Sequence, residues 1–157
     1  MPSFPKNLPL PQKDGYKLQP QSGVKKTEMT SGLPRLRLIT RNAPTNIPVI
    51  WHFTEWEFGI FEAWYLYEAK EGVAWFDIKL RGGLGLTEHK ARFLGESYEA
   101  SLDKQSNKWI VTTTLQVLVM PRLSVGGYQL LINYGIEDVK QAENMMTQTT
   151  NNFFNKI

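Results

Sequence analysis

The sequence predicts a mainly β fold with one flanking α-helix, an extended N-terminal arm and a C-terminal appendage. Three observations lead to this prediction. Several segments of the 157-residue chain alternate apolar and polar side chains, which is the period of a half-buried strand. One segment near the middle carries a complete helix-capping signal. Five of the nine prolines fall in the first twenty residues, where they disfavour a helix or a central strand.

The predicted arm covers residues 1–32. It is not a polar spacer, because apolar side chains recur between its prolines. These side chains are Phe4, Leu8, Leu10, Tyr16 and Leu18. We therefore expect the arm to lie along a surface, either of its own body or of a neighbouring subunit, rather than to form a disordered tail.

The predicted body covers residues 33–120. Its strands are expected at 33–39, 48–53, 73–80, 87–94, 98–102 and 109–119, with a glycine loop at 81–85. The last strand places Trp109, Val111 and Leu115 on one face and threonines on the other. This pattern predicts one side in the core and one side that is solvated or lines a lumen.

The predicted helix covers residues 54–70. Thr54 and Glu57 form the Thr-x-x-Glu capping box, Lys70 lies in the expected last turn, and Gly72 provides a left-handed stop. Apolar residues fall on two faces of this helix. One face has Phe58, Phe61, Tyr65 and Leu66, and the other has Ile60, Trp64 and Tyr67. Because a helix on one sheet needs a narrower apolar stripe, a second packing partner is predicted.

The predicted appendage covers residues 121–157. We expect a strand at 128–134 and a short amphipathic helix at 136–146. A polar tract at 147–152 then leads to an apolar end. That end consists of Phe153, Phe154 and Ile157.

The formal net charge of +3 belongs to the leading segment. Residues 1–30 contain five lysines and two acidic residues, so their net charge is 5 − 2 = +3. Residues 31–157 contain 13 basic and 13 acidic residues, so the body is neutral. A neutral body argues against a basic groove that follows a nucleic-acid backbone. The chain also lacks a run of 18 apolar residues and an N-terminal apolar h-region, so no membrane partner and no signal peptide are predicted.

No catalytic, cofactor-binding or metal site is predicted, and we expect the protein not to be an enzyme. The chain has no cysteine, and His52 and His89 are too few and too far apart for a histidine-rich metal site. The glycine loop at 81–86 lacks the spacing of a phosphate-binding or dinucleotide-binding motif. The carboxylate pairs Glu55/Glu62 and Glu96/Glu99 would act as a glycosidase dyad only if they faced one another across a cleft.

Aromatic residues are concentrated in residues 51–76, which contain ten of them. Three interpretations remain open: a hydrophobic core, a subunit interface, and a platform on which sugars or bases stack. The wide apolar surface of the helix favours an interface that adds to the core. The residues predicted to form this interface are Phe4, Leu8, Tyr16, Trp56, Ile60, Trp64 and Tyr67.

Several local motifs in residues 8–119 resemble one family. An arm with Leu-Pro-x-Pro and Asp-Gly-Tyr precedes Trp-His-Phe-Thr-Glu and Phe61-Glu62-Ala63-Trp64. Gly-Val-Ala-Trp-Phe at 72–76 and a long strand from Trp109 follow. This pattern is similar to the small minor tail proteins of tailed bacteriophages, the lambda-type minor tail protein M group, which resemble distal tail proteins. Residues 120–157 have no counterpart in the short members of that group.

The resemblance implies a tail-tube-like fold, either a β-sandwich or a split barrel with one flanking helix. It also implies a homo-oligomeric six-fold ring around a channel, no cofactor and no enzymatic activity. The implied partners are the tail tube and the tip or fibre proteins, with DNA only as transient cargo in the lumen. The implied location is the virion, after synthesis in the host cytoplasm.

The function expected on this basis is a distal tail or tail-tip ring protein that joins the tail tube to tip or fibre proteins. A head–tail or tube adaptor ring of the virion is an alternative in the same class. A carbohydrate-binding β-sandwich that presents exposed tryptophans is an alternative in a different class.

Overall fold

The computed structural model describes residues 1–95 and 97–154, with side chains described as far as residue 145. The chain divides into two compact units, Met1–Pro121 and Arg122–Ile157. The arm and the body predicted from the sequence both lie in the first unit. Glu96 of the suggested carboxylate pair, the side chains of the polar tract at 147–152 and the apolar end at 153–157 lie outside this description.

The predicted mainly β character is confirmed. In chain order the elements are β1 Gln19–Pro20, β2 Val24–Thr27, β3 Arg35–Leu38, β4 Thr45–Phe53, α1 Glu55–Tyr67, β5 Phe76–Gly82, β6 Gly85–Phe93, β7 Glu99–Asp103, β8 Lys108–Val117 and α2 Val125–Phe154. Six strands form one antiparallel sheet in the order β1-β4-β8-β6-β5, with β7 also paired to β8. β2 and β3 form a separate two-stranded sheet.

The centre of the large sheet is the pair β4 and β8, which are in register from Thr45 opposite Val117 to Phe53 opposite Trp109. The second edge of β8 is shared, because β6 pairs with its end and β7 with its beginning. Side chains on β8 alternate between buried and more exposed positions, as the sequence pattern predicts. α1 packs on β4 and β8 and closes the core.

Strand β4 is longer than predicted, because it begins at Thr45 and contains Pro48. A proline is tolerated in a strand only where its nitrogen faces an unpaired edge. β1 pairs only with Thr45 and Asn46, so β4 is an edge strand at Pro48. The carbonyl of Ile50, two residues further on and facing the same way, accepts a bond from Gln12 N, which lies outside the sheet.

Helix α1 begins as predicted and ends earlier. The Thr54 side chain accepts from Glu57 N at 3.5 Å, and Glu57 Oε2 accepts from Thr54 N at 2.7 Å, so both halves of the capping box are present. The helix ends at Tyr67 rather than near Lys70. Lys70, Glu71 and Gly72 all have positive φ angles, 49°, 56° and 91°, so the left-handed backbone extends over three residues instead of the glycine alone.

The strand predicted at 33–39 is present as β3, but its expected half-burial is wrong. All four residues of β3 are exposed, and so are all four residues of β2. Alternation gives the period of a strand but does not show whether another layer covers it. No other helix or strand of the first unit packs on this pair.

The strand predicted at 128–134 is also wrong, because this segment is the first part of α2. Tyr128 N donates to Ser124 O, and Gly127 N donates to Ser124 Oγ, so Ser124 caps the helix. Tyrosine, leucine and isoleucine there favour a strand, but a helix satisfies its backbone without a partner strand. Gly135, with φ 79°, interrupts α2 just before the helix predicted at 136–146. Within the described residues, no helix is both long enough and apolar enough to cross a bilayer.

Candidate interaction surface

Residues 2–20, called the strap below, contact both edge strands of the large sheet. At β5, Phe4 N donates to Asp77 O at 2.8 Å, and Asp77 N donates to Pro2 O at 3.1 Å. At β4, Gln12 N donates to Ile50 O at 2.7 Å, and β1 then pairs with the same strand. The strap is therefore a structural part of the first unit, and it lies on its own body rather than extending away from it.

The strap also explains the orientation of Trp64. The ring of Phe4 stacks on Trp51 at a centroid distance of 5.7 Å and meets Trp64 edge-on at 5.3 Å. The indole Nε1 of Trp64 donates to Ser3 O at 3.0 Å. The second packing partner that the sequence predicts for the helix is therefore present in the same chain: it is the strap.

These contacts correct part of the predicted interface. Phe4, Leu8 and Trp64 are buried in the core of their own chain, and only 5% of Trp64 is accessible. Tyr16 is partly buried, and its hydroxyl donates to Arg81 O at 2.8 Å. While the strap is docked, Phe4, Leu8 and Trp64 are inaccessible to a neighbouring subunit. These three residues are therefore removed from the predicted interface.

The other predicted interface residues that lie on α1 form, together with Ala63, an exposed apolar line, called the outer stripe below. It consists of Trp56, Ile60, Ala63 and Tyr67, whose spacing of four, three and four residues places them on one face. Trp56 is 87% exposed, Tyr67 76% and Ile60 43%. Near the beginning of the stripe is a groove of about 550 Å³, lined also by Glu55 and Gly59.

The two faces of α1 differ in what covers them. Phe58, Phe61, Trp64 and Tyr65 point into the core, while the outer stripe has no partner among the described residues. The sequence pattern groups Trp64 with Ile60 and Tyr67, and Leu66 with Phe58, Phe61 and Tyr65. In the structure Trp64 faces the core, and Leu66 is exposed.

The surface around the outer stripe is acidic. α1 contains Glu55, Glu57 and Glu62 and no basic residue, so its side chains carry a net charge of −3. No ion pair to these three carboxylates is found within the described part of the chain. Tyr98 donates to Glu62 at 3.2 Å, and burial together with the Glu62 charge raises the pKa of Tyr98 to about 12. Its hydroxyl therefore stays protonated at neutral pH.

A second unpartnered surface is the hairpin of β2 and β3, residues 24–38, which the sequence analysis did not identify as a unit. The sequence signal that indicates it is the alternating segment Arg-Leu-Arg-Leu, preceded by a short segment Val-Lys-Lys-Thr that ends in a β-branched residue. The register places Lys25 opposite Arg37 and Thr27 opposite Arg35 on one face. The other face has Val24, Lys26, Leu36 and Leu38.

The base of the hairpin depends on Gly23. Ile39 N and Thr40 N both donate to Gly23 O, which extends the pairing of the two strands. A Cβ at residue 23 would collide with the carbonyl of Thr40, so only glycine fits there. This close approach fixes where the hairpin leaves the strap.

The described residues contain no cluster of three or more histidine, cysteine or acidic side chains placed to hold a metal ion. His52 is exposed, whereas His89 is buried in β6. The Nδ1 of His89 lies 2.9 Å from Thr87 O, and since a carbonyl only accepts, Nδ1 carries the proton. Its Nε2 is buried without a partner, and burial lowers the pKa of His89.

The tryptophans do not form a continuous stacking platform. Trp51 and Trp64 are buried, Trp109 stacks on Phe58, and the guanidinium of Arg92 lies 4.8 Å over the ring of Trp75. Trp56 is the tryptophan whose ring is open to solvent. In the first unit, the exposed aromatic side chains Trp56 and Tyr67 therefore both lie on helix α1.

Comparison with known proteins gives no further assignment, because no family model, no curated protein and no solved structure matches the chain.

Proposed function

We propose that this protein is a structural subunit of a bacteriophage tail, a distal tail or tail-tip ring protein that assembles from identical copies. In this role it joins the tail tube to tip or fibre proteins, as a six-fold ring around a channel that DNA crosses. The proposal takes its class from the resemblance of residues 8–119 to the minor tail proteins.

The observation that supports assembly is the outer stripe. Trp56, Ile60 and Tyr67 form an apolar surface on the solvent side of a well-packed helix. Exposed tryptophan and tyrosine anchors are enriched at protein interfaces, and a continuous apolar patch of this kind is uncommon on a monomer. Closed cyclic symmetry is the usual way in which identical copies satisfy such a surface.

The test of self-assembly is native mass spectrometry of the purified chain, combined with negative-stain electron microscopy. We expect a species of six copies and ring-shaped particles. W56A/Y67A is expected to remain folded by circular dichroism and to lose the six-copy species. The matched control L84A/L102A removes two exposed leucines of the first unit that lie outside the helix, and it is expected to assemble normally.

The test of the tail role is localisation. Antibodies against the chain are expected to label the distal end of the tail on intact virions. Labelling at the head–tail junction would instead support the adaptor ring, and absence from particles would overturn the structural role.

The exposed rings of Trp56 and Tyr67 favour one candidate of another class, a carbohydrate-binding module. Its test is a glycan array with the wild-type chain and W56A. Specific glycan binding that W56A abolishes, by a chain that stays monomeric, would replace the tail proposal.

A further inference from the structure

The starting observation is that the hairpin has two dissimilar faces, both uncovered. One face presents Lys25, Thr27, Arg35 and Arg37, and the other presents Lys26 among the apolar side chains of Val24, Leu36 and Leu38. An isolated two-stranded hairpin is marginally stable in water, and three or more strands or a packing partner are normally needed. The rest of the first unit supplies no such partner.

The charges on the hairpin indicate what kind of partner it needs. Lys25 and Arg37 lie directly opposite one another across the strands, an arrangement that is unfavourable for like charges. Lys26 is neutralised by Glu28 at 2.6 Å, but the side chains of Lys25, Arg35 and Arg37 have no ion pair in the described residues. The hairpin carries four basic residues and one acidic residue, so its net charge is 4 − 1 = +3.

The outer stripe has the complementary properties. It is apolar and exposed, and it lies on a helix whose net charge is −3, with Glu55 and Glu62 seven residues apart along one side. Both surfaces belong to the first unit, and within one chain they do not touch. Complementary net charges steer two surfaces together and fix their orientation, while apolar contact provides most of the binding.

We propose that the hairpin of one copy of this chain docks on the outer stripe of a second copy, head to tail. This inference rests on the proposed function, because it requires the chain to assemble from copies. The apolar face of the hairpin contacts the outer stripe. Lys25, Arg35 and Arg37 lie on the opposite face, so they add to the net charge that steers the two copies together and do not contact the helix. Since the two surfaces differ, each copy offers one of each, and the contact propagates until a ring closes.

The absence of cysteine makes a crosslinking test possible without background. L36C on the hairpin and I60C on the outer stripe are prepared as separate chains, mixed, and treated with a short bismaleimide. We expect a crosslinked heterodimer. The matched control replaces I60C by L84C, an exposed leucine at the β5–β6 turn, and is expected to give none.

Charge reversal tests the complementarity. R35E/R37E in the L36C chain changes the net charge of the hairpin from +3 to 3 − 4 = −1, so it is expected to lower the initial rate of heterodimer formation at low salt about tenfold, and so is E55K/E62K in the I60C chain. Combining both reversals in the mixture is expected to restore the rate, because attraction returns with opposite signs. K104E/K108E, an equal reversal on the β7–β8 turn, is the control and is expected to have no effect.

The outcomes separate the inference from the proposed function. Absence of the heterodimer in a chain that still forms rings would overturn the docking proposal and leave the tail role intact. A heterodimer whose formation neither reversal slows would overturn the charge complementarity. Wild-type binding to duplex DNA that R35E/R37E abolishes, with no crosslink between copies, would assign the hairpin to a polyanion instead. If E55K/E62K does not fold by circular dichroism, E55K alone gives the same test at reduced strength.

Discussion

The strap and the hairpin are neighbours in the sequence, yet the structure uses them differently. The strap, residues 2–20, has Phe4 and Leu8 in the core and backbone bonds to both edges of the large sheet. The hairpin, residues 24–38, starts four residues later and is exposed on both faces. One segment completes its own fold, and the other presents a surface.

The difference follows from the side chains that each segment offers. The strap has three lysines and one aspartate, a net charge of 3 − 1 = +2, but it also carries Phe4 and Leu8, whose large apolar side chains are part of the core. One face of the hairpin carries Lys25, Arg35 and Arg37, and the other carries Lys26 beside its leucines, so neither face can enter a core without burying charge. The predicted arm, residues 1–32, is therefore not uniform. Its proline-rich part packs on the body, and the part that follows forms the exposed hairpin.

The largest expected effect is that of removing the docked segment. Deletion of residues 1–16 removes Phe4 and Leu8 from the core, and such losses cost about 2–5 kcal/mol each, comparable to the whole stability of a domain. We expect loss of the cooperative unfolding transition in urea, followed by fluorescence. Replacing residues 22–40 by a short glycine-serine link is the matched deletion and is expected to preserve the transition. If the chain without residues 1–16 still unfolds cooperatively near the wild-type urea midpoint, the strap is not needed for stability and does not differ from the hairpin in this respect.

The second effect is that of one anchor. F4A removes a ring that contacts Trp51 and Trp64, so we expect the free energy of unfolding to fall by about 3–5 kcal/mol. L10A, at a position of the same strap that is 37% exposed and lies outside the core cluster, is the control and is expected to cost less than about 1 kcal/mol. Equal losses in urea denaturation would mean that the strap does not act through this anchor.

The third effect is a pH dependence of the free energy of unfolding, and it comes from His89 in the large sheet. Burial lowers the pKa of His89 in the folded state, so below its ordinary value near 6.5 the unfolded chain binds more protons. The free energy of unfolding is therefore highest above this pH and decreases as the pH falls through it. H89Q is expected to flatten this decrease between about pH 7 and pH 5.5 in urea titrations. The chain in which residues 22–40 are replaced is expected to keep the wild-type slope of unfolding free energy against pH. A flatter slope in that chain would contradict the assignment of this pH dependence to His89.

The smallest expected effect on stability is that of the hairpin surface. L36S and L38S change side chains that are exposed, so the free energy of unfolding is expected to change by no more than about 0.5 kcal/mol. Association measured by sedimentation is expected to weaken in both. A large loss of stability in the isolated subunit would show that the hairpin is packed within its own chain, like the strap.

The features of this fold that can be predicted from the sequence are those that depend on residues close together in the chain. The capping box at Thr54 and Glu57, the turn of the β5–β6 hairpin and the alternating faces of β8 depend on neighbouring residues, and the structure confirms them. Outer-stripe residues Trp56, Ile60 and Tyr67 were also identified, although Ala63 was not.

The rest depends on contacts between residues far apart in the chain. Trp64 faces inward because Ser3 and Phe4 are there to meet it, and nothing in the helix sequence indicates this. The exposure of β3 depends on the absence of a covering layer. The helical state of residues 128–134 depends on Ser124 as a cap and on the lack of a pairing edge, whereas composition alone favours a strand.

The bonds of the strap also constrain the order of events during synthesis. Ser3 bonds to a residue 61 positions later, and Tyr16 to one 65 positions later. On a ribosome the strap is made before the strands and the helix that receive it, so it waits unpaired until β5 has emerged. Contacts of such long sequence separation slow folding, and they leave Phe4 and Leu8 open to other chains in the meantime. We therefore expect the earliest-made residues of the first unit to be among the last to reach their final positions.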